Sequence, residues 1–146
     1  MPLKIKSTKH IDIEYAVLYW IKLLSEEKYE EAYNLTLHDP YYQWTPALLE
    51  SVIKGYGFLD DAIEEKYKVT PTATAVHEGD NHKIYKDIRL FDSPVKQSQH
   101  HIDVNIIGEV HYDLPLNGRW SDLTASFKIL QESDFLMLEL NDIHVL

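Results

Sequence analysis

Residues 117–146 read NGRWSDLTASFKILQESDFLMLELNDIHVL, and this stretch decides the fold. Apolar side chains alternate with polar ones on both sides of the polar segment QESD, which predicts two antiparallel strands over 120–130 and 135–146. In the second strand the alternation changes face at Asn141-Asp142, because the apolar side chains move from even to odd positions. One inserted residue explains such a change as a β-bulge, and bulges bend a sheet around a core. The sequence therefore ends in a pair of strands that predicts a strongly curved sheet.

Alternating segments also precede this pair. The Asn-Gly pair in LNGR at 116–119 favours a type I′ hairpin turn, and EGDN at 78–81 predicts another turn. The segment SPVKQSQ at 93–99 is expected to be a longer loop. Between these signals the alternation predicts three further strands, 67–77, 83–91 and 100–114. Pro71 makes the first of them an edge or bulged strand.

The first 65 residues have helical periodicity instead. Apolar side chains at three- and four-residue spacing follow Asp12, which is the expected N-cap of a first helix, and a second register begins at Tyr29 and ends before Pro40. Thr45 and Pro46 have the N-cap and first-position chemistry of a third helix. Residues 58–65 have the pattern of a further helical turn. Helices followed by an antiparallel meander predict an α+β fold, in one domain over 1–146.

Length and composition limit the functional class. At 146 residues the chain can bury roughly 70% of the surface of its unfolded state, so a core needs no disulfide or metal. The absence of cysteine excludes disulfides, zinc-thiolate sites and thiol nucleophiles. No apolar run approaches the roughly 20 residues that span a bilayer, and the N-terminus has no secretory pattern. These features predict a cytoplasmic protein that does not enter a membrane.

The charge is negative and unevenly placed. The formal net charge is −10, and residues 11–65 alone carry 12 Asp or Glu against three Lys. A field of this sign repels nucleic acid and attracts basic proteins. Acidity of this kind also serves solubility alone. We expect no nucleic-acid partner, and a basic protein partner if the acidic residues form one surface.

Two stretches carry a resemblance to a known family. AVLYWIKLLSEEKYEEAYNL at 16–35, followed by an aromatic segment, a helix and a meander, resembles the nuclear transport factor 2-like (SnoaL-like) superfamily. YDLPLNGRWSDLTASFKI at 112–129 and LNDIHVL at 140–146 resemble small uncharacterised bacterial members that are suspected to be toxin immunity proteins. The resemblance implies a cone in which three N-terminal helices pack on a curved antiparallel sheet of about five strands. Since this architecture also hosts isomerases and dehydratases, it implies the fold more than the function.

Catalytic and metal chemistry have little support. An enzyme of the ketosteroid isomerase or dehydratase kind would use Asp103 or His111 with tyrosine donors, but Asp103 and His101 alternate with apolar residues and are expected on a solvated face. His100 and His101 are adjacent in a strand and point to opposite faces, so they do not share one ion. The chain has no nucleophile elbow and no glycine-rich phosphate loop. We expect no catalytic residue, no metal and no cofactor, and keep a small-molecule pocket enzyme or carrier as the alternative.

The remaining candidates are surface acids and large aromatics. Loop aromatics suit either a pocket rim or an interface, and Trp20 is expected in the core of the cone. The expected pocket lining consists of Trp20, Tyr42 and Tyr112. The expected partner-binding residues are Glu26, Glu27, Glu30, Glu31, Asp60, Asp61, Glu64, Glu65, Trp44 and Trp120. The sequence thus predicts a non-enzymatic binding protein, an immunity protein that neutralises a basic toxin, with a homodimer as a further expectation.

Overall fold

The computed structural model describes residues 2–56, 67–77, 83–97 and 104–145. The described residues form an α+β structure of three α-helices and one five-stranded sheet. The helices are α1 (His10–Ser25), α2 (Tyr29–Leu35) and α3 (Pro46–Lys54). The strands are β1 (Leu37–His38), β2 (Lys86–Gln97), β3 (Val104–Leu116), β4 (Arg119–Glu132) and β5 (Phe135–Val145). Among these residues, no helix combines the length and the apolarity needed to cross a membrane.

The helix boundaries follow the sequence signals with two errors, the start of α1 and the end of α2, which ends at Leu35 and not just before Pro40. Thr45 caps α3 as predicted, since its hydroxyl accepts a hydrogen bond from the Leu48 backbone N–H at 3.0 Å. The predicted cap Asp12 is wrong, because α1 begins at His10 and places Asp12 inside its first turn. An acid there still favours the helix, because the first turn carries the positive end of the helix dipole. The predicted helical turn at 58–65 lies outside the described residues.

The sheet has the order β1-β5-β4-β3-β2. The four long strands pair antiparallel, as predicted, whereas β1 pairs parallel to β5 through Leu37 and His38. A strand of two residues is too short to show alternation, which explains why the sequence did not indicate it. The helices therefore do not all precede the strands, because β1 lies between α2 and α3.

The segment 67–77 is not a strand of the sheet, so that prediction is wrong. It contains a 3₁₀ turn over Thr72–Thr74, and its β-pairing with the sheet consists of isolated bridges from Val69 and Val76. Pro71 lies directly before the turn and donates no ladder hydrogen bond. Strand β2 begins and ends later than predicted and includes residues 93–97 of the loop expected at 93–99, with pairing to β3 interrupted between Leu90 and Val95.

Two predictions near the end of the chain are confirmed, the bulge in β5 and the turn between β3 and β4. Phe127 lies opposite Leu140 and Ser126 lies opposite Asp142, which leaves Asn141 as the extra residue of a bulge in β5. The Trp44 indole N–H donates to the Asn141 carbonyl oxygen at 3.1 Å, so the bulged backbone has a hydrogen-bond partner. In the β3–β4 turn Asn117 and Gly118 both have positive φ, 52° and 83°, as a type I′ turn requires.

The core lies between the helices and one face of the sheet. Trp20 of α1 is fully buried and meets Phe127 of β4 edge to face, with ring centroids 5.0 Å apart. The other core side chains are mainly aliphatic residues of α1, α3 and β3 to β5. A smaller cluster around Val104, Leu130 and Met137 lies apart from this core. The predicted core position of Trp20 is therefore correct.

Candidate functional site

The outward face of α1 carries exposed apolar and aromatic side chains at four-residue spacing. Ile11 is 54% exposed, Tyr15 60% and Tyr19 49%. Residues four apart lie one above the other on a helix, so these side chains form a continuous stripe. The same face continues through the exposed residues Lys22 and Glu26. We call Ile11, Tyr15, Tyr19, Lys22 and Glu26 the α1 stripe.

The stripe leads into a turn that carries four exposed acids. These are Glu26, Glu27, Glu30 and Glu31, between the end of α1 and the first turn of α2. Lys28 is the one basic residue of this turn, and its Nζ lies 3.4 Å from the Glu26 carboxylate. We call the four glutamates the acidic turn. The other four predicted acids, Asp60, Asp61, Glu64 and Glu65, lie outside the described residues.

The backbone of the acidic turn has an unusual residue at its bend. Glu27 has a φ of 58°, and the Lys28 and Glu27 N–H groups donate to the carbonyls of Leu23 and Leu24 at 2.9 and 3.0 Å. This is the Schellman pattern of a helix end, in which the left-handed position is usually glycine. A side chain costs about 1–2 kcal/mol in that conformation. Glu27 thus occupies a position where glycine would have the lower conformational energy.

Helix α3 adds a mixed-charge pair beside this turn. Lys54 Nζ donates to the Glu50 carboxylate at 2.5 Å, and this hydrogen bond raises the pKa of Lys54. Burial raises the pKa of Tyr29, whose phenol interacts electrostatically with Lys54 and with Glu27. The Tyr29 hydroxyl is buried and has no hydrogen-bond partner among the described residues. Lys54 therefore offsets part of the negative charge on this side of the protein.

The aromatic segment after β1 divides between surface and core. Tyr41 is 82% exposed and packs edge to face on Tyr42, while Trp44 is only 6% exposed. The expected surface role of Trp44 does not fit this position, because its ring packs in the core and its N–H is used by Asn141. The pKa of Tyr42 is raised, mainly by the negative charge of the Asp142 carboxylate.

The expected central pocket is not lined by the expected residues. Trp20 and Tyr112 are buried in the core, and Tyr42 lies on the surface. The Tyr112 hydroxyl donates to the Glu14 carboxylate at 2.9 Å, and burial followed by this bond raises the pKa of Tyr112. Large rings fill the space between α1 and the sheet, so these residues act in packing rather than as the wall of a cavity.

The residues of the catalytic alternative lie partly outside the described ranges. Asp103, His100 and His101 lie outside the described residues, and His111 contacts the ring of Tyr85 edge to face. Asp113 lies two residues further along β3. Its carboxylate accepts hydrogen bonds from the Tyr85 N–H and the Thr124 hydroxyl at 2.7 Å each. In the described ranges, no group of three or more His, Asp or Glu residues is arranged to hold a metal ion.

Trp120 lines a cleft of about 500 Å³ at the tip of the β3–β4 hairpin. The cleft lies between the end of α3 and the segment 67–77, and the sequence indicated only its tryptophan. Its lining residues are Tyr56, Tyr67, Leu116, Asn117, Arg119, Trp120 and Ser121. Tyr56 and Tyr67 are far apart from Trp120 in the chain and show no shared spacing, so periodicity could not place them together.

No family model, no curated protein and no solved structure matches this chain.

Proposed function

We propose that this chain is a non-enzymatic binding protein that neutralises a basic bacterial toxin domain, and that the α1 stripe and the acidic turn form the contact surface. The observation that carries the proposal is the exposed run of Ile11, Tyr15 and Tyr19, which is continuous with the acids at the end of the same helix. Tyrosine is enriched in the central residues of protein interfaces.

Charge selects the partner. The acidic turn brings four carboxylates to one bend, in a chain whose net charge is −10. A surface of this sign steers a basic protein toward it and repels acidic competitors. A nuclease toxin is basic because it binds phosphates, so an inhibitor with a complementary acidic face gains association rate.

The family and compartment are part of the same proposal. A curved sheet with bulges, covered by three helices, supports a nuclear transport factor 2-like cone, and an immunity protein of that kind acts in the cytoplasm. The central-pocket enzyme has less support, since Trp20 and Tyr112 are buried in the core.

Calorimetry against the toxin domain encoded by the adjacent upstream gene tests the proposal. The double variant Tyr15→Ser, Tyr19→Ser should weaken binding at least about thirtyfold, because central interface tyrosines contribute about 2 kcal/mol or more. Tyr85→Ser is the matched control, because Tyr85 is also partly exposed but contacts His111 on the sheet. A folded toxin domain that gives no binding would refute the proposal.

A further inference from the structure

The loop between β1 and α3 presents two tyrosine rings to the solvent. Tyr41 is 82% exposed and Tyr42 is 40% exposed, and the rings pack edge to face with centroids 5.0 Å apart. Tyrosine side chains are enriched among the residues that dominate contacts between proteins. We call Tyr41 and Tyr42 the tyrosine pair.

Both ends of this loop are attached to β5. At its start, the Asp39 N–H donates to the Leu140 carbonyl at 2.9 Å, and the Asp39 carboxylate accepts a hydrogen bond from the Tyr41 N–H at 2.9 Å. At its end, the Trp44 indole N–H donates to the Asn141 carbonyl at 3.1 Å. The tyrosine pair is therefore held in place by the fold itself. Such preorganisation lowers the entropic cost of binding a ligand.

The charge beside the tyrosine pair is negative. The Asp142 carboxylate is the main cause of the raised pKa of Tyr42, and Tyr41 and Asp39 act in the same direction. The Asp142 side chain is 28% exposed, and its carboxylate lies 2.8 Å from the His144 Nδ1. An imidazole is charged only when it is protonated, and a carboxylate accepts about four hydrogen bonds. Next to a neutral His144, Asp142 therefore keeps its negative charge and can accept from a further donor.

We propose that the tyrosine pair and the Asp142 carboxylate together bind an arginine side chain of a partner protein. A guanidinium group is planar, so it can stack on a tyrosine ring while its N–H groups donate to the carboxylate beside that ring. Lysine fits less well, because its ammonium group is a compact, strongly hydrated charge. An anionic group would be repelled by Asp39 and Asp142. None of these residues belongs to the α1 stripe or the acidic turn, so the arginine site is a second contact surface.

Nα-acetyl-arginine methylamide is a suitable probe, and Nα-acetyl-citrulline methylamide is its neutral isostere. Binding is followed by the NMR signals of the Tyr41 and Tyr42 rings at about pH 8, where histidine is neutral. The arginine compound should bind at least about tenfold more tightly than the citrulline compound, because a charged hydrogen bond contributes more than a neutral one. The corresponding lysine compound should also bind more weakly. An arginine compound that binds no more tightly than either analogue, or that does not shift the ring signals, would overturn the proposal.

Two substitutions locate the site, each with a matched control. Tyr41→Leu should weaken binding of the arginine compound about threefold, which is the contribution of an exposed cation–π contact. Its control is Tyr15→Leu, because Tyr15 is 60% exposed on α1. Asp142→Asn should weaken binding about tenfold. Its control is Asp134→Asn, which makes the same change in the turn between β4 and β5.

Equal losses in a variant and its control would contradict the site. Thermal melting confirms that each variant folds. If Asp142→Asn does not fold, the Tyr41→Leu variant and the three compounds on the natural chain still decide. No toxin domain is present in these titrations, so their outcome is independent of the proposed toxin binding.

Discussion

Replacing Glu27 with glycine should make the protein more stable and weaken its binding to the proposed basic partner. Glu27 has left-handed backbone geometry, with a φ of 58°, at the end of α1. Glycine adopts this conformation without steric cost. The substitution also removes one of the four exposed carboxylates of the acidic turn and reduces their mutual repulsion.

The expected gain in stability is about 1 kcal/mol. Relief of the left-handed conformation contributes about 1–2 kcal/mol, and the greater freedom of glycine in the unfolded chain removes about 0.4–1 kcal/mol. In a domain of this size, about 1 kcal/mol raises Tm by about 2–4 °C. Urea denaturation gives the free energy of unfolding, and stopped-flow mixing gives the association rate with the toxin domain.

Ser133→Gly is the matched control. Ser133 has the same left-handed geometry, with a φ of 53°, in the β4–β5 turn, where no acidic cluster is proposed to bind. It should raise stability by a similar amount and leave association unchanged. Destabilisation by Glu27→Gly, or an equal slowing of association in both glycine variants, would contradict these assignments.

Three further substitutions, one of them with a control, test the stability of the fold and its pH dependence. Trp44→Phe removes the hydrogen bond to the Asn141 carbonyl at the bulge and should cost about 1–3 kcal/mol in urea denaturation, because a partly buried carbonyl loses its partner. Gly108→Ala should cost about 1–3 kcal/mol by the same assay, because a Cβ there would overlap a backbone oxygen of β2; Gly55→Ala, where the nearest atom is 3.0 Å away, should cost less. Burial, with the bond to Asp122, raises the pKa of Tyr56 from 10.0 to about 12. Since the neutral phenol is favoured in the folded state, the stability it contributes is fully present below pH 10.0 and is lost as the pH rises through about 12. Tyr56→Phe should therefore flatten the fall in stability across this interval, and an unchanged slope would exclude the assigned contact.

Where local chemistry decides the structure, the sequence was a good guide. The Asn-Gly turn, the Thr45 cap and the bulge at Asn141 each depend on a few neighbouring residues, and all three are present. The errors occur where distant contacts override the local pattern. Residues 67–77 alternate like a strand, yet they contact the hairpin tip and contain a 3₁₀ turn around Thr72 instead.

The candidate surfaces were harder to predict than the fold. The sequence indicated the glutamates of the acidic turn. It did not indicate that Trp44 is buried while Tyr41, three residues earlier, is exposed. Both are aromatic residues in an irregular segment, where periodicity gives no face. The grouping of Tyr56 with Trp120 depends on the packing of α3 beside the β3–β4 hairpin.

The central claim is that an acidic, tyrosine-bearing face captures a basic protein. The direct test is the association rate constant with the proposed toxin domain, measured as salt rises from about 0.1 M to about 1 M, over which the Debye length falls from about 10 to about 3 Å. Electrostatic steering predicts at least a tenfold fall in the association rate, roughly the lower limit of such effects, with a much smaller change in dissociation. An association rate that stays constant or rises across this range would contradict the account.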